Sequence, residues 1–416
     1  MRDEDIISAY TAHAPPRAAR ALSDLGAGIA VSANGATVRT RDKRSIVDLT
    51  SSGFDYDHPT VVARTAEQLA TMPLSGRMFL SRPLAKVVAA LARLTPGELA
   101  VTYLCNSSAE ALDGALKLAR GYHRRRTKFV AAAGAHHGVT LGALSVCGIP
   151  RLRPAEALFP LRTSFVPYGD VRAIDEIDRD TAAVIVEPVA TGCGVHLSPR
   201  GWLPALRERC SRTGALLIAD ETTTGLGATG AWFGVSAEDV VPDILVLGNA
   251  LGGGVIPMAA YVATHAVNYR VYGRRNPALH GSTTGGNPTA CAAALAALDV
   301  LEEEQVPRHA AGLERLIAHV LERWRERFDG AMIESAVRGL LAGVRLSDPT
   351  HPAAIREVAL AHGALVRDAG DGWIAIRPPL LVTRAELERG LNALERACSD
   401  VLTPARSARH AATATS

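Results

Sequence analysis

Lysine is scarce in this chain of 416 residues. Only four lysines are present, and all of them lie in the first 128 residues: Lys43, Lys86, Lys117 and Lys128. Arginine supplies the remaining positive charge. Chemistry that requires a lysine amine is therefore restricted to these four positions, and the rest of the chain is excluded as its source.

Closely spaced cysteines, a strong net charge and long apolar runs are also missing. The six cysteines include no CxxC pair and no metal-ligand spacing, so we expect mostly buried thiols and neither a metal site nor a disulfide framework. A net charge of +3 is too small and too evenly spread to indicate nucleic-acid binding. No apolar run reaches the roughly 18 residues of a membrane span, and the first ten residues lack the apolar segment of a secretory signal. We expect a cytoplasmic protein that binds neither nucleic acid nor membrane.

The apolar residues that are present occur in short runs rich in β-branched side chains. Each run ends at a polar or glycine-rich turn and is followed by a helical pattern, which predicts an α/β fold with a mainly parallel sheet covered by helices on both faces. The runs are VTYLCN (101–106), KFVAAAG (128–134), AAVIVEP (182–188), GALLIADE (214–221), DILVLGN (243–249) and MAAYVAT (258–264).

The length of the chain predicts one large and one smaller domain. From about residue 289 the pattern changes to long helices with short strand-like pieces at 334–346 and 372–380, which is typical of an α+β unit. We predict an N-terminal segment (1–50) that joins the small domain, a large α/β domain (51–300), a small α+β domain (301–403) and a disordered tail (404–416).

Ligands of open parallel sheets bind beyond the carboxyl ends of the strands. The polar residues at these ends are therefore expected to converge on one site: Asn106, Ser107, His136, His137, Glu187, Asp220, Glu221 and Asn249.

Several of these residues have both a functional and a structural interpretation. Asp220 can pair with a protonated ring nitrogen or a basic side chain, or it can cap a turn, whereas Glu221 points the other way and is predicted to be structural. Ser107 and Ser108 open an amphipathic helix, where they can hold a phosphate or act as plain N-caps.

Two further stretches carry polar side chains in glycine-flanked loops. In HGSTTGGNP (280–288) Ser282 or Thr283 can face an anion. His136 and His137 can exchange protons or stack on a ring, and a metal site is disfavoured because no carboxylate or cysteine lies at ligand spacing.

Together these stretches resemble the class III aminotransferases, which are pyridoxal phosphate (PLP) enzymes of fold type I. The resemblance covers about residues 28 to 400 and implies a large domain with a mainly parallel seven-stranded sheet plus a smaller α+β domain. The segments in family order and spacing are NSSAEALDGALKLAR, HHGVTLGALS, VIVEPVATGCGV, ALLIADETTTGLGATG, VVPDILVLGNALGGG, HGSTTGGNPTACAAALAAL and RPPL.

The resemblance also implies roles for individual residues. Asp220 would pair with the pyridinium nitrogen, and Ser107, Ser108 and Ala109 would cradle the phosphate. Thr283 would reach the phosphate of the neighbouring subunit, which implies a homodimer with a shared active site.

Asn249 stands where the family has its catalytic lysine. That lysine bonds covalently to the cofactor and moves the proton of the substrate. An asparagine amide is not nucleophilic and does not titrate near neutral pH. The four lysines of this chain match helical or peripheral family positions, so we do not expect any of them to substitute.

The surroundings of Asn249 depart from the family as well. Where the family has DEVQTGFGRTG this chain has DETTTGLGATG, so Thr222 replaces the valine that packs on the ring, Thr223 replaces a glutamine and Ala228 replaces an arginine. Ala190 and Thr191 replace the polar residues that often follow EP.

Two other departures affect the walls of the predicted site. His136 replaces the aromatic residue that usually stacks on the pyridine. Ala375 stands where many members carry the arginine that clamps a substrate carboxylate. Arg377, two residues on and on the same strand face, is a candidate replacement.

Three functions remain open from the sequence. An enzyme of specialised biosynthesis can retain non-covalent PLP or its amine form and act on an amine, as in sugar dehydration, with His136 or His137 as proton shuttle. Alternatively the cleft catalyses acyl transfer, amide formation, cyclisation or isomerisation without a cofactor, using His136, His137, Asp220 and Glu187. The third possibility is a non-catalytic partner of an active homologue. Glu187 and Arg377 are the predicted contacts to a small-molecule substrate.

Overall fold

The computed structural model describes residues 3–15, 25–26, 28–75, 79–153, 160–273 and 280–403. The predicted disordered tail, 404–416, lies outside the described residues. Within the described ranges, no helix combines the length and apolarity needed to cross a bilayer. All six cysteines are free thiols and all but the half-buried Cys193 are buried, as predicted.

The helices fall between the predicted strands and then dominate the C-terminal third. In the described residues they are α1 (Asp3–His13), α2 (Pro59–Thr71), α3 (Arg82–Leu94), α4 (Ser108–Tyr122), α5 (Leu141–Val146), α6 (Trp202–Thr213), α7 (His265–Val271), α8 (Pro288–Glu303), α9 (Val306–Arg327), α10 (His351–Ala361) and α11 (Arg384–Leu402).

The strands form one large sheet and three smaller ones. They are β1 (Ala30–Asn34), β2 (Thr37–Thr40), β3 (Ser45–Asp48), β4 (Leu99–Cys105), β5 (Lys128–Ala132), β6 (Arg162–Val166), β7 (Thr181–Val186), β8 (Val189–Ala190), β9 (His196–Leu197), β10 (Leu216–Asp220), β11 (Ile244–Leu247), β12 (Ala259–Thr264), β13 (Met332–Arg338), β14 (Leu341–Leu346), β15 (Ala364–Leu365), β16 (Arg367–Gly370) and β17 (Trp373–Ile376).

The large sheet has seven strands in the order β4-β12-β11-β10-β7-β5-β6. Every residue of β5, β7, β10 and β11 is buried, as expected for parallel strands covered on both faces. Strand β12 alone runs antiparallel to both of its neighbours, β11 and β4. The predicted α/β fold with a mainly parallel seven-stranded sheet is therefore confirmed.

Helix α4 is placed against this sheet by its apolar face. Ala111, Leu112, Ala115, Leu118 and Ala119 recur at helical spacing and are all buried. They belong to the same apolar cluster as residues of β11 and β12. This packing fixes the N-terminus of α4 at the carboxyl end of β4.

The C-terminal part contributes a second sheet in the order β13-β14-β17-β16, in which every pairing is antiparallel. Strand β15 instead pairs in parallel with β3, so the N-terminal strands share a sheet with the C-terminal part. We keep the division at about residues 50 and 300 as a proposal, which this pairing supports.

Candidate active site

The carboxyl ends of the large sheet bring polar residues from four strands together. Ala219 on β10 lies opposite Val186 on β7, and Asp220 lies opposite Val246 on β11. Glu187 directly follows β7, and Asp220 is the last residue of β10. Both therefore lie at the carboxyl ends of buried strands. Ser107 opens α4 just after β4, at the same edge.

Asp220 and His137 form a buried pair. The Nδ1 atom of His137 lies 2.7 Å from Oδ2 of Asp220, and the two residues are 3% and 2% exposed. Burial is the largest single influence on His137 and opposes its protonation, but the hydrogen bond to Asp220 and the negative charges of Asp220 and Glu187 together raise the pKa of the imidazole. The other carboxylate oxygen, Oδ1, accepts a hydrogen bond from the backbone N–H of Thr222 at 3.1 Å. The Nε2 atom of His137 is buried without a partner among the described residues.

His136, the neighbour of His137 in the same loop, is half-buried. Burial, followed by the positive charge of Arg367, lowers the pKa of His136. Its imidazole is therefore neutral near pH 7 and its lone pair can accept a proton.

Glu187 holds the loop that carries these histidines. Its Oε2 accepts the backbone N–H of His136 at 3.2 Å, and its Oε1 accepts the backbone N–H and hydroxyl of Thr191. Burial raises the pKa of Glu187. The carboxyl group predicted to contact a substrate is thus surrounded by donors of its own chain.

Glu221 does not enter the site, which corrects the expectation that all eight polar residues converge. Its carboxylate accepts hydrogen bonds from the hydroxyl of Thr224 and from the backbone N–H groups of Gly234 and Val235. Because successive residues of a strand point to opposite faces, Asp220 and Glu221 diverge. The structural role predicted for Glu221 agrees with these contacts.

The N-terminus of α4, which is the predicted phosphate cradle, is closely packed. Ser107 is the N-cap, and its hydroxyl accepts the backbone N–H of Glu110 at 3.3 Å. A Cβ atom on Gly248 would lie 2.0 Å from Oγ of Ser108, and one on Gly138 would lie 2.7 Å from Cβ of Ala109. The first N–H groups of a helix have no acceptor within the helix, so this enclosed end attracts an anion.

Asn249 follows β11 directly after Gly248. It starts a short 3₁₀ turn (Asn249–Gly252), has a φ of 45° and is exposed. Asparagine is one of the few residues besides glycine that tolerates this left-handed conformation. The predicted counterpart of the family's lysine therefore stands next to Gly248, at the start of this turn.

Three of the four lysines are exposed, and the fourth lies toward the opposite end of the large sheet from Asp220. Lys43 and Lys86 are exposed, and Lys117 is exposed more than two turns along α4. Lys128 forms ion pairs with Glu176 and Asp178 at the amino end of β5. The strand register places Lys128 five to six residues before Asp220, which is about 16 to 20 Å along the strand direction.

Three other predicted cofactor contacts, Thr222, Thr223 and Thr283, differ in how far they are buried. Thr222 and Thr223 are half-buried immediately after Asp220. Thr283 is exposed on another loop, where its neighbour Ser282 accepts a hydrogen bond from Asn106 at 2.9 Å. Within the described part of the chain, no hydrogen bond joins Thr283 to the Asp220–His137 pair.

Arg377 lies just beyond β17 and is buried, with 6% of its surface exposed. A second arginine that sequence reasoning missed, Arg367 on β16, lies directly opposite Ala375. The chain offers an Asp-Gly turn at 371–372 as a hairpin signal. A simple two-residue hairpin would have placed Asp368 opposite Ala375, but an irregularity between Asp368 and Gly370 shifts the register by one.

Comparison with known proteins agrees with this architecture. The family model Aminotransferase class-III matches residues 25–398. Acetylornithine aminotransferase of Methanopyrus kandleri is 38% identical over 367 residues, which are 87% of this chain and 92% of that protein. Putrescine aminotransferase of Pectobacterium atrosepticum is 38% identical over 353 residues, which are 81% of this chain and 75% of that protein.

Solved structures show the same fold. Ornithine aminotransferase of Toxoplasma gondii superposes with a TM-score of 0.84 at 27% identity, covering 95% of both chains. An amine transaminase from an uncultivated Pseudomonas species, solved with PLP bound, gives a TM-score of 0.82 at 26% identity, covering 90% of this chain and 95% of that one. The fold is thus that of PLP-dependent transaminases, and the chain belongs to the class III aminotransferase family.

Proposed function

We propose that this chain is an enzyme that holds PLP or its amine form without a covalent bond and acts on a small molecule carrying an amino or carboxylate group. One observation carries the proposal. The cradle at α4 and the buried Asp220–His137 pair are intact, whereas Asn249 stands at the position of the reactive lysine. The standard transaminase mechanism of the family is then not available to it.

The residues present fit a phosphorylated pyridine. The cradle at Ser108 is closed by Gly248 so tightly that a Cβ atom would fill it, and its helix dipole favours a phosphate. Asp220 offers a buried carboxylate that a protonated ring nitrogen can satisfy. When bound, the cofactor supplies an electron-withdrawing ring that eases removal of a proton next to the amine of the substrate.

His136 is the side chain that we assign to proton movement. It is half-buried and neutral, whereas His137 is held against Asp220 with its other nitrogen enclosed. A base must reach the proton that it removes. His137 and Glu187 then act as positioning residues, the first by fixing Asp220 and the second by fixing the backbone of His136.

The names of the relatives support an amino-bearing substrate, because acetylornithine, ornithine and putrescine all carry amino groups. Arg377 supports a carboxylate on the same molecule, because a buried guanidinium binds carboxylates in a two-pronged geometry. The class of enzyme fits a step of specialised biosynthesis.

We also propose a homodimer with shared active sites. Phe79 is 77% exposed, Leu80 is fully exposed, and both line a groove with Thr283 and Thr284. Exposed apolar side chains grouped in this way mark protein interfaces. Light scattering after gel filtration is expected to give twice the chain mass, and Leu80→Glu should lower it to one chain.

A cofactor-independent reaction is the second candidate. Both oxygens of Asp220 already accept hydrogen bonds, from His137 and from the backbone of Thr222, and hydroxyl groups of Thr222 and Thr223 stand where the family has other side chains. Such a wall suits a substrate with several hydrogen-bonding groups.

A visible absorption titration of the dialysed protein with PLP distinguishes these functions. We expect a saturable spectral change in the wild type, and no cofactor attached to the protein after borohydride treatment, as judged by mass spectrometry. Asn249→Lys should bind and then retain one cofactor per chain at residue 249. Asp220→Asn should weaken binding about 10- to 100-fold, because it removes a charge-assisted hydrogen bond.

Two results would count against the proposal. Stoichiometric attachment to one of the four native lysines would show that another amine has replaced the missing one. Absence of binding in both wild type and Asn249→Lys would favour the cofactor-independent enzyme or a non-catalytic partner.

A further inference from the structure

Two arginines project from the same face of the C-terminal sheet. Arg367 on β16 is paired with Ala375 on β17, and directly opposite residues share a face. Alternation along the extended chain places Arg377 on that face too. Arg367 and Arg377 are thus diagonal neighbours, with Cα atoms about 7 to 8 Å apart.

This face points toward the loop that carries His136. Trp373 and Ala375 pack in one apolar cluster with Val189 and Val195, which flank the segment held by Glu187. The positive charge of Arg367 lowers the pKa of both His136 and Arg377, so the three cationic or basic groups share one region.

Among the described residues, the buried guanidinium of Arg377 has no counter-ion. Its Nε atom has no hydrogen-bond partner, and no side-chain hydrogen bond or ion pair joins Arg377 or Arg367 to any residue that the structure describes. Glu187 and Asp48 act on Arg377 only through their more distant charges. Burial, together with Arg367, lowers the pKa of Arg377 to about 10.

The backbone holds this arrangement in place. The N–H of Arg377 donates to the carbonyl of Leu49 at 2.7 Å, and its carbonyl accepts the N–H of Ser52 at 3.0 Å. A buried, unpaired charge is costly, and these contacts hold the backbone of Arg377 inside the fold. An anion from outside the chain is the group that would balance it.

We propose that Arg367 and Arg377 form an anion pocket beside His136 that receives a carboxylate of the substrate. Arg367 then supplies, from the neighbouring strand, the guanidinium that Ala375 lacks. The substrate class is an amino acid or another small acid with a free carboxylate, in contrast to a simple amine. The role in catalysis rests on the proposed function, but binding of a carboxylate by the pocket does not.

Thermal unfolding of the dialysed, cofactor-free protein tests the pocket directly. Acetate, succinate and inorganic phosphate are titrated at constant ionic strength, and we expect a saturable rise of the melting temperature with the carboxylates. Arg367→Gln should weaken carboxylate affinity at least tenfold, and Arg377→Gln should abolish the rise. Arg345→Gln on the same sheet removes an exposed arginine paired with Glu334 and should behave as wild type.

Arg367 is only half-buried, so we expect Arg367→Gln to fold. This variant alone can test the pocket if Arg377→Gln does not fold. Equal carboxylate affinity in wild type and Arg367→Gln would overturn the proposal, as would the absence of any saturable effect of acetate or succinate. A response to phosphate alone that both variants retain would assign anion binding to the cradle at Ser108 and also overturn it. A carboxylate response in a protein that fails to bind PLP would refute the proposed function while leaving the pocket intact.

Discussion

Replacing Arg377 by methionine should stabilise the protein in the absence of ligands. Burial and Arg367 lower the pKa of Arg377 from 12.5 to about 10. At about 1.4 kcal/mol for each pKa unit, the charged guanidinium costs the folded state about 3 kcal/mol. Methionine keeps most of the aliphatic stem and removes the charge, and both backbone hydrogen bonds of residue 377 are retained.

The assay is differential scanning calorimetry in a buffer free of carboxylates and phosphate. For a chain of this length about 3 kcal/mol corresponds to a melting temperature higher by about 3 °C. Because the folded-state pKa is lowered, the penalty is fully present at every pH below about 10 and is lost only above it. The difference between variant and wild type should therefore be constant between pH 6 and pH 9.

The control is Arg325→Met, which removes an exposed arginine from α9 and should change the melting temperature by less than 1 °C. A melting temperature of Arg377→Met about 3 °C or more below that of the wild type would refute the reasoning. It would mean that the guanidinium is paired in solution and that its charge stabilises the fold.

The remaining predictions concern the cradle, the proposed base and an acidic cluster. Gly248→Ala should weaken PLP binding at least tenfold in the absorption titration, because the new Cβ would lie 2.0 Å from Oγ of Ser108; unchanged affinity would remove the cradle from the site. Once a substrate is known, the acid limb of kcat/KM should fall below the ordinary histidine pKa and disappear in His136→Gln, since burial and Arg367 lower that pKa; a limb unchanged in the variant would assign it elsewhere. Burial, with the charge of Glu386, raises the pKa of Asp55 to about 7, so its contribution to stability is lost as pH rises from about 4 to 7. Asp55→Asn should accordingly gain more stability over wild type at pH 8 than at pH 4 in urea unfolding, and equal gains would contradict the shift.

The parallel core could be predicted because its sequence signals are local. Runs such as those at 182–188 and 214–221 are apolar throughout, and the structure places β7 and β10 within them. Strand β6 was missed because RTSFV mixes polar and apolar residues at an edge of the sheet. The direction of β12 was also missed, although only the eleven residues 248–258 separate it from β11, and parallel neighbours need a crossover of a dozen residues or more.

For the site, the sequence predicted only which polar residues lie at the carboxyl ends of the strands. That rule brought Asp220 and His137 to one edge, where they pair. It could not show that the carboxylate of Glu187 already accepts hydrogen bonds from its own chain. One donor is Thr191, four residues on in a turn, and the strand pattern does not predict such a contact. The position of Arg367 could not be predicted because the irregularity between Asp368 and Gly370 shifts the register of β16 by one residue. Such a shift moves the side chains before it to the opposite face of the sheet.

Two glycines at the cradle, Gly138 and Gly248, help to decide between an enzyme and a non-catalytic partner. Gly138 has a φ of 112°, so its backbone alone favours glycine. Gly248 has a φ of −167°, which any residue can adopt, so only the approach of Ser108 requires glycine there. On the proposed function, in which Asn249 stands for the reactive lysine, a closely covered helix end is what a cleft that binds an anion needs. The retained contact therefore favours a cleft that still binds an anion, and the proposal of an enzyme rests on that contact more than on any single titratable group.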